Sequence, residues 1–95
     1  MAAYVLANVT IKEPVRYEDY RRRVTPTLEK YGGLFIVRGG PVEILEGDWR
    51  PGRLVIIEFP SIEQARAWWN SPEYTEAKRI RQATSEGTLL IVEGV

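Results

Sequence analysis

Two runs of consecutive apolar residues limit how this chain can fold. Leu54 to Ile57 reads Leu-Val-Ile-Ile, and Leu89 to Val92 reads Leu-Leu-Ile-Val. Runs of this length and β-branched content predict strands. Successive side chains of a strand point to opposite faces of its sheet, so an unbroken apolar run predicts a strand that is covered on both faces.

The remaining sequence predicts two helical regions and two further strands around these runs. The strand pattern is alternating or β-branched, and the helical pattern has apolar residues three and four positions apart. The predicted elements are a strand at Ala3–Ile11, a helix from Pro14 that ends at Gly32, a strand that begins at Leu34 and resumes at Val42–Leu45, a strand at Arg53–Phe59, a helix from Ser61 that is broken at Asn70–Pro72, and a strand at Thr88–Glu93.

Local signals refine three of these elements. Pro26 removes one backbone hydrogen bond from the first helix and predicts a kink or break near Arg22 to Thr25. Gly39-Gly40-Pro41 predicts a bulge or sharp bend within the second strand. The sequence from Ser61 to Gln64 has the pattern of a capping box.

The order strand, helix, strand, strand, helix, strand predicts a ferredoxin-like α+β fold in one domain, residues 1–95. Its four-stranded antiparallel sheet carries both helices on one face. Because the helices cover only that face, we expect a second copy of the chain to cover the other, giving a homodimer through the sheet face.

Composition excludes several classes of function. The 13 basic and 13 acidic residues cancel, which argues against binding to nucleic acid or to an anionic membrane. The chain has no cysteine and no histidine, so a disulfide, a thiolate nucleophile and the commonest zinc and haem ligands are missing, and we expect neither metal nor cofactor. The amino terminus has no basic leader and no apolar run could span a bilayer, so we expect a cytoplasmic location.

Three polar residues interrupt the predicted apolar strands: Asn8, Arg38 and Glu58. Alternation places each beside apolar neighbours, and all three point away from the helices if those faces coincide. Arg38 and Asn8 could then bind a carboxylate or enolate oxygen, with Glu58 as a general base. The alternative is a structural ion pair between Arg38 and Glu58 that stabilises the dimer, and we favour it.

Glycines and aromatic residues supply a second group of candidates for ligand binding. Gly39 and Gly40 could leave backbone N–H groups free for a ligand, although such glycines more often serve only a bend. Trp68, Trp69 and Tyr74 could line an apolar pocket between helix and sheet. Adjacent tryptophans of a helix cannot both face inward, so one of the two is exposed, at a pocket mouth or at an interface.

Several blocks of the sequence resemble a known bacterial family, domain of unknown function 1330. The blocks are Tyr-Gly-Gly-Leu-Phe-Ile-Val-Arg-Gly-Gly from Tyr31, Leu-Glu-Gly-Asp-Trp from Leu45, Glu-Phe-Pro-Ser from Glu58 and Ala-Trp-Trp-Asn-Ser-Pro-Glu-Tyr from Ala67. The resemblance extends over essentially the whole chain. It implies a dimeric α+β barrel, the superfamily that also contains cofactor-free monooxygenases and muconolactone isomerases, and implies no particular activity.

Two hypotheses of function follow. The first is a homodimeric small-molecule-binding, structural or stress-associated module in which the polar strand residues hold the barrel together. The second is a cofactor-independent isomerase or monooxygenase that acts on a small apolar acid or enolisable ring. In the second, Arg38 and Asn8 bind the oxyanion and Glu58 moves the proton.

Overall fold

The computed structural model describes all 95 residues. Four strands form one antiparallel sheet in the order β2-β3-β1-β4, with three helices in the chain. The elements are β1 (Ala3–Ile11), α1 (Pro14–Lys30), β2 (Leu34–Arg38), β3 (Arg53–Phe59), α2 (Ile62–Trp69), α3 (Pro72–Thr84) and β4 (Ser85–Glu93). The predicted ferredoxin-like fold is confirmed, with its second helical region divided into α2 and α3.

Helix α1 continues through its internal proline, so the predicted break is wrong. Pro26 lies inside an unbroken helix that begins with Pro14 at its first turn. Pro26 and Arg22, whose carbonyl loses its usual partner, are both exposed, and water can hydrate that carbonyl. The packing of the buried stripe of α1 keeps the helix continuous, and the stripe consists of Tyr17, Tyr20, Val24, Thr27 and Leu28.

Serine side chains begin both α2 and α3. Ser61 accepts a hydrogen bond from the backbone N–H of Gln64, at 3.2 Å, and Ser71 accepts one from Tyr74, at 3.1 Å. Only half of the predicted capping box forms, because the Gln64 side chain donates instead to the carbonyl of Tyr31, at 3.1 Å. This bond ties the start of α2 to the end of α1.

The second strand is shorter than the sequence predicts. β2 ends at Arg38, and residues 39–52, which we call the arm, contain no helix or strand. The predicted resumption at Val42–Leu45 is wrong: this segment has no neighbouring strand to pair with, and every residue from 39 to 50 is exposed.

The two faces of the sheet differ in what covers them. The helix side holds the core, in which alternate residues of β1 and β3 pack against the buried faces of the helices. The opposite side, which we call the open face, has no cover within the chain. It carries Tyr4, Leu6, Asn8, Leu34, Val37, Leu54, Ile56, Glu58, Thr88, Leu90 and Val92. The chain is therefore a slab 16 Å thick, against 37 and 36 Å in its other dimensions.

Candidate functional site

Asn8 and Glu58 lie on the open face, as alternation predicts. Asn8 is paired with Leu54, and Glu58 with Tyr4, across the same two strands. The side-chain oxygen of Asn8 accepts a hydrogen bond from the N–H of Gly52, at 2.7 Å, and so anchors the end of the arm to β1. Glu58 takes part in none of the seven ion pairs of the chain.

Arg38 does not join them, and this corrects the predicted face of its side chain. The pairing of β2 with β3 slips by one residue between Phe35 and Val37, which leaves Ile36 as an extra residue. A slip of one residue transfers the following side chains to the other face of a sheet. Arg38 is therefore paired with Val55 on the helix side, and its guanidinium carbon lies 4.2 Å from the centre of the Phe35 ring.

The predicted ion pair of Arg38 with Glu58 is therefore absent within the chain. The two side chains lie on opposite sides of the sheet, and Arg38 takes part in none of the seven ion pairs. For the same reason, one ligand cannot contact Arg38, Asn8 and Glu58 together in a single subunit.

Gly39 and Gly40 differ in their surroundings. Gly39 has a φ of +74°, and a Cβ at this position would collide with the guanidinium of Arg53. Its N–H donates to the carbonyl of Leu54, at 2.7 Å, so it is not free for a ligand. Gly40 has no neighbouring atom within 4 Å of the position of a Cβ. Gly39 thus makes room for an arginine.

The three predicted aromatic residues occupy successive layers between helix and sheet. Trp68 is fully buried, and its indole N–H donates to the hydroxyl of Thr27, at 3.0 Å. Tyr74 is also fully buried, with its ring centre 4.0 Å from that of Trp68. Trp69 is only half-buried, as expected for one member of an adjacent pair.

Four arginines on the helix side line a small cavity, which we call the arginine cavity. Arg21 comes from α1, Arg38 from β2, Arg53 from β3 and Arg81 from α3. The cavity has a volume of about 30 Å³, room for one or two waters, and no acidic residue lines it. A chain of zero net charge thus has a local excess of positive charge around this cavity, where Arg81 is buried and Arg38 is exposed.

Carboxylates do not neutralise most of this charge. Arg21 pairs with Glu18, at 2.6 Å, but Arg38, Arg53 and Arg81 take part in none of the seven ion pairs. Arg81 is only 7% exposed, and its Nε donates a long hydrogen bond of 3.4 Å to the hydroxyl of Tyr74. The Nε atoms of Arg21 and Arg53 are buried without any hydrogen-bond partner. Buried donors without partners are costly, which makes them good binding groups for an acceptor.

Tyrosines extend the donor set of the arginine cavity. Tyr17 lines the cavity and is 4% exposed. Burial raises its pKa, while the charges of Arg53, Arg21 and Arg81 act in the opposite direction. Burial also raises the pKa of Tyr20 well above its usual value, and the Tyr20 hydroxyl lies 3.1 Å from that of Tyr74. Both phenols therefore remain protonated near neutral pH and can donate hydrogen bonds.

Two further cavities adjoin the arginine cavity along β4. An apolar cleft of about 310 Å³ is lined by Val5, Trp69, Leu89, Leu90 and Ile91. Val5 and Leu89 also line the arginine cavity, so the two spaces share a wall. A more polar groove beyond Trp69 contains Arg81 and Leu89 as well. Leu89 thus lies at the meeting point of all three spaces.

The sequence analysis missed Arg21, Arg53, Arg81 and Tyr17 as site residues. Two of the arginines carried a detectable signal. Arg81 continues the buried stripe of Tyr74 and Ala77 at helical spacing, and Arg53 precedes Val55 in strict alternation. A charged residue at a core position of a helix or strand is the signal that could have identified the site.

Two negative observations complete the description. No group of three or more histidine, cysteine, aspartate or glutamate side chains is placed to hold a metal ion. No helix has the length and apolar character that crossing a membrane requires.

Solved structures similar to this chain have the same fold. The RPA0582 protein of unknown function from Rhodopseudomonas palustris is 23% identical, with a TM-score of 0.79 over 99% of this chain and 82% of that one. A dimeric ferredoxin-like protein of unknown function from Jannaschia sp. CCS1 is 17% identical, with a TM-score of 0.66 over 100% and 99% of the two chains. SnoaB, a cofactor-independent oxygenase from Streptomyces nogalater, is 14% identical, with a TM-score of 0.64 over 99% and 92%.

Comparison at the level of sequence identifies the family. None of the curated proteins compared with the chain matches it significantly. The family model described as domain of unknown function (DUF1330) matches residues 2–95, which is nearly the full length. The chain therefore belongs to the DUF1330 family, as the sequence blocks from Tyr31 to Ala67 predicted.

Proposed function

We propose that the protein is a homodimeric binding protein whose subunits each hold a small anionic molecule in the arginine cavity. The observation that carries the proposal is that four arginines and no acidic residue line one cavity. A guanidinium presents a planar fork of donors that matches a carboxylate. An anion there would satisfy the buried Nε atoms of Arg21 and Arg53, which have no partner within the chain.

The test is thermal unfolding with acetate as the probe, compared with chloride at equal ionic strength. Binding to the folded state alone raises the melting temperature in proportion to RT ln(1 + [L]/Kd). We expect acetate to stabilise the wild type and the Arg79→Met control, and not the Arg81→Met variant. Arg79 is a suitable control because it lies on the same helix, is exposed and pairs with Glu76. Equal stabilisation of both variants would contradict the proposal.

The homodimer is supported by the apolar character of the open face. Leu34 is 61% exposed and Leu90 is 54% exposed, on the two edge strands of this face, with Leu54, Ile56 and Leu6 between them. Exposed apolar patches of this kind mark interaction sites in monomer structures. Packing of two sheets about a twofold axis is the occupant that we propose, because similar structures from Jannaschia and Bacteroides fragilis are described as dimeric.

The arm supports the same arrangement. Its apolar side chains, Val42, Ile44, Leu45 and Trp49, are all exposed, and Leu45 reaches 90% exposure. The end of the arm lies next to the open face, because the N–H of Gly52 donates to the side chain of Asn8 on that face. We propose that it packs on the second subunit. Replacing residues 41–50 by a two-residue Asn-Gly turn should weaken the dimer at least tenfold in sedimentation equilibrium, and an unchanged dimer would contradict this role.

A cofactor-independent enzyme is the second candidate, since SnoaB shares the fold. The groups at the arginine cavity favour binding over proton transfer. Arginines stay protonated, and Tyr17 and Tyr20 have raised pKa values, so neither type accepts a proton near neutral pH. Glu58, the base that the sequence suggested, lies on the other face of the sheet. Binding is therefore the function that we put first.

A further inference from the structure

We infer that the ligand of the arginine cavity is a monocarboxylic acid with a flat apolar body of one or two rings. The body lies in the apolar cleft, and the carboxylate lies among the arginines. This inference rests on the proposed function, to which it adds the class of ligand. Three features of the cavities carry it: their polarity, their sizes and their shared walls.

The polarity of the arginine cavity selects the head group. Arginine is a donor only, and Tyr17 adds a hydroxyl that makes no hydrogen bond within the chain. A matching head group must accept several hydrogen bonds and carry negative charge. An ammonium group or a neutral amide would instead place donors against the donors of the site.

The size of the arginine cavity favours a carboxylate over a larger anion. Its volume of about 30 Å³ accommodates a group of roughly the size of one or two waters. A carboxylate is planar and has two acceptor oxygens, which suits the fork of Arg53 or Arg81. A tetrahedral phosphate needs more room, so it would require the surrounding side chains to move.

The apolar cleft selects the body of the ligand. Its volume of about 310 Å³ is roughly twice that of an engineered apolar cavity that binds benzene, at about 150 Å³. All five residues that line it are hydrophobic. One wall is the indole of Trp69, and another is the side-chain layer of β4, at Leu89 and Ile91. A flat ring between an indole and a sheet buries both of its faces.

The two spaces are close enough for one molecule to occupy both. Val5 and Leu89 line each of them, so the two spaces lie against each other, and the Leu89 side chain must turn aside for a carboxylate bonded to the ring to reach the arginines. Arg81 also connects the spaces, because its guanidinium carbon lies 6.0 Å from the centre of the Trp69 ring. On the same indole, Lys78 lies 4.1 Å from the ring centre and donates to the Trp69 carbonyl, at 2.8 Å. This bond fixes the position of Trp69.

Isothermal titration of the full chain with three probes tests the inference. The probes are 2-naphthoate, which has both parts, acetate, which has only the head group, and 2-naphthamide, which has the same rings without the charge. We expect 2-naphthoate to bind at least tenfold more tightly than either of the others. We also expect Trp69→Ala to reduce naphthoate affinity at least tenfold while acetate binding stays unchanged, and Arg81→Met to abolish both.

The outcomes distinguish failure of the inferred ligand class from failure of the proposed function. If naphthoate binds no better than acetate and both need Arg81, the ligand class is wrong and the anion site stands. If naphthamide binds as well as naphthoate, the apolar cleft acts alone and the inference is wrong. If no anion binds in an Arg81-dependent way, the proposed function itself is wrong. The comparison of the three probes on the wild type and on Arg81→Met decides these cases even if Trp69→Ala does not fold.

Discussion

The helix side and the open face are made by the same four strands, but the helices bury the first and nothing in the chain covers the second. On β3, Val55 and Ile57 point toward the helices and are buried, whereas Ile56 between them points to the open face and is only half-buried. All three residues belong to one apolar run. The difference shows that a continuous run predicts apolar surface on both faces of a sheet, while the rest of the chain decides which face it can cover itself.

The first prediction, with the largest expected effect, compares truncation of one residue on each face of β3. It tests whether packing on the helix side alone stabilises the subunit. Ile57→Ala should lower the free energy of unfolding by about 3 kcal/mol, because Ile57 is buried in the core and its truncation removes packing contacts and enlarges a cavity there. Ile56→Ala should lower the free energy of unfolding clearly less, because Ile56 is only half-buried. Urea unfolding at protein concentrations low enough to give monomers makes the comparison, and equal losses for the two variants would contradict it.

The second prediction concerns assembly through the open face. Ile56→Lys places a charge where the proposed partner packs, and burial of an unpaired charge is strongly unfavourable. We expect the dimer dissociation constant to rise on the order of a hundredfold, which corresponds to about 2.8 kcal/mol, with the subunit still folded. Sedimentation equilibrium and circular dichroism measure the two quantities. Val15→Lys, at an exposed apolar position of α1, is the control, and a dimer unaffected by Ile56→Lys would rule out the sheet-face interface.

The third prediction concerns the buried charge of Arg81 on the helix side. Here we expect the substitution to preserve or raise stability, whereas Ile57→Ala lowers it. Arg81→Met keeps the length of the side chain and removes a buried charge that has no acidic partner. Replacing buried charges by apolar groups of similar volume is often neutral or stabilising, so we expect stability to stay equal or to rise by about 1 kcal/mol. Thermal unfolding in the absence of added carboxylates measures it. A loss as large as that of Ile57→Ala would mean that Arg81 holds the fold and not a ligand.

The smallest effect is a pH dependence at the outer edge of the helix layer. Lys30 and Tyr31 donate hydrogen bonds to Glu73 and lower the pKa of its carboxyl to about 2, from 4.5. A lowered folded-state pKa stabilises the folded protein above the unfolded-state value, and this stabilisation is lost as the pH falls from about 4.5 to 2. Glu73→Gln should therefore be less stable than the wild type at pH 6 and approach it near pH 2. A difference that does not change with pH would contradict the assignment.

The sequence predicted the elements well where one local rule dominates. The serine caps at Ser61 and Ser71 and the break between α2 and α3 follow from residue types alone. The prediction failed where two influences compete. Packing of the α1 stripe outweighs the bond that Pro26 removes, and residues 42–45 stay outside the sheet for lack of a strand beside them.

The candidate site was predicted less well than the fold. Asn8 and Glu58 lie on the expected face, but one extra residue in β2 moved Arg38 to the other. A bulge of this kind depends on the twist of the sheet and the path of the chain after it, which alternation does not contain. The arginine cavity combines residues from four elements, and no local spacing relates them.

The sequence by itself determined the fold class, the family and the existence of an apolar surface that the helices cannot cover. These depend on periodicity, caps and residue type, which act over a few neighbouring positions. Only the tertiary structure decided which side of the sheet Arg38 occupies and that Arg21, Arg53 and Arg81 meet it around one cavity. Such a meeting depends on strand register and helix packing, which bring together residues as much as 60 positions apart, from Arg21 to Arg81.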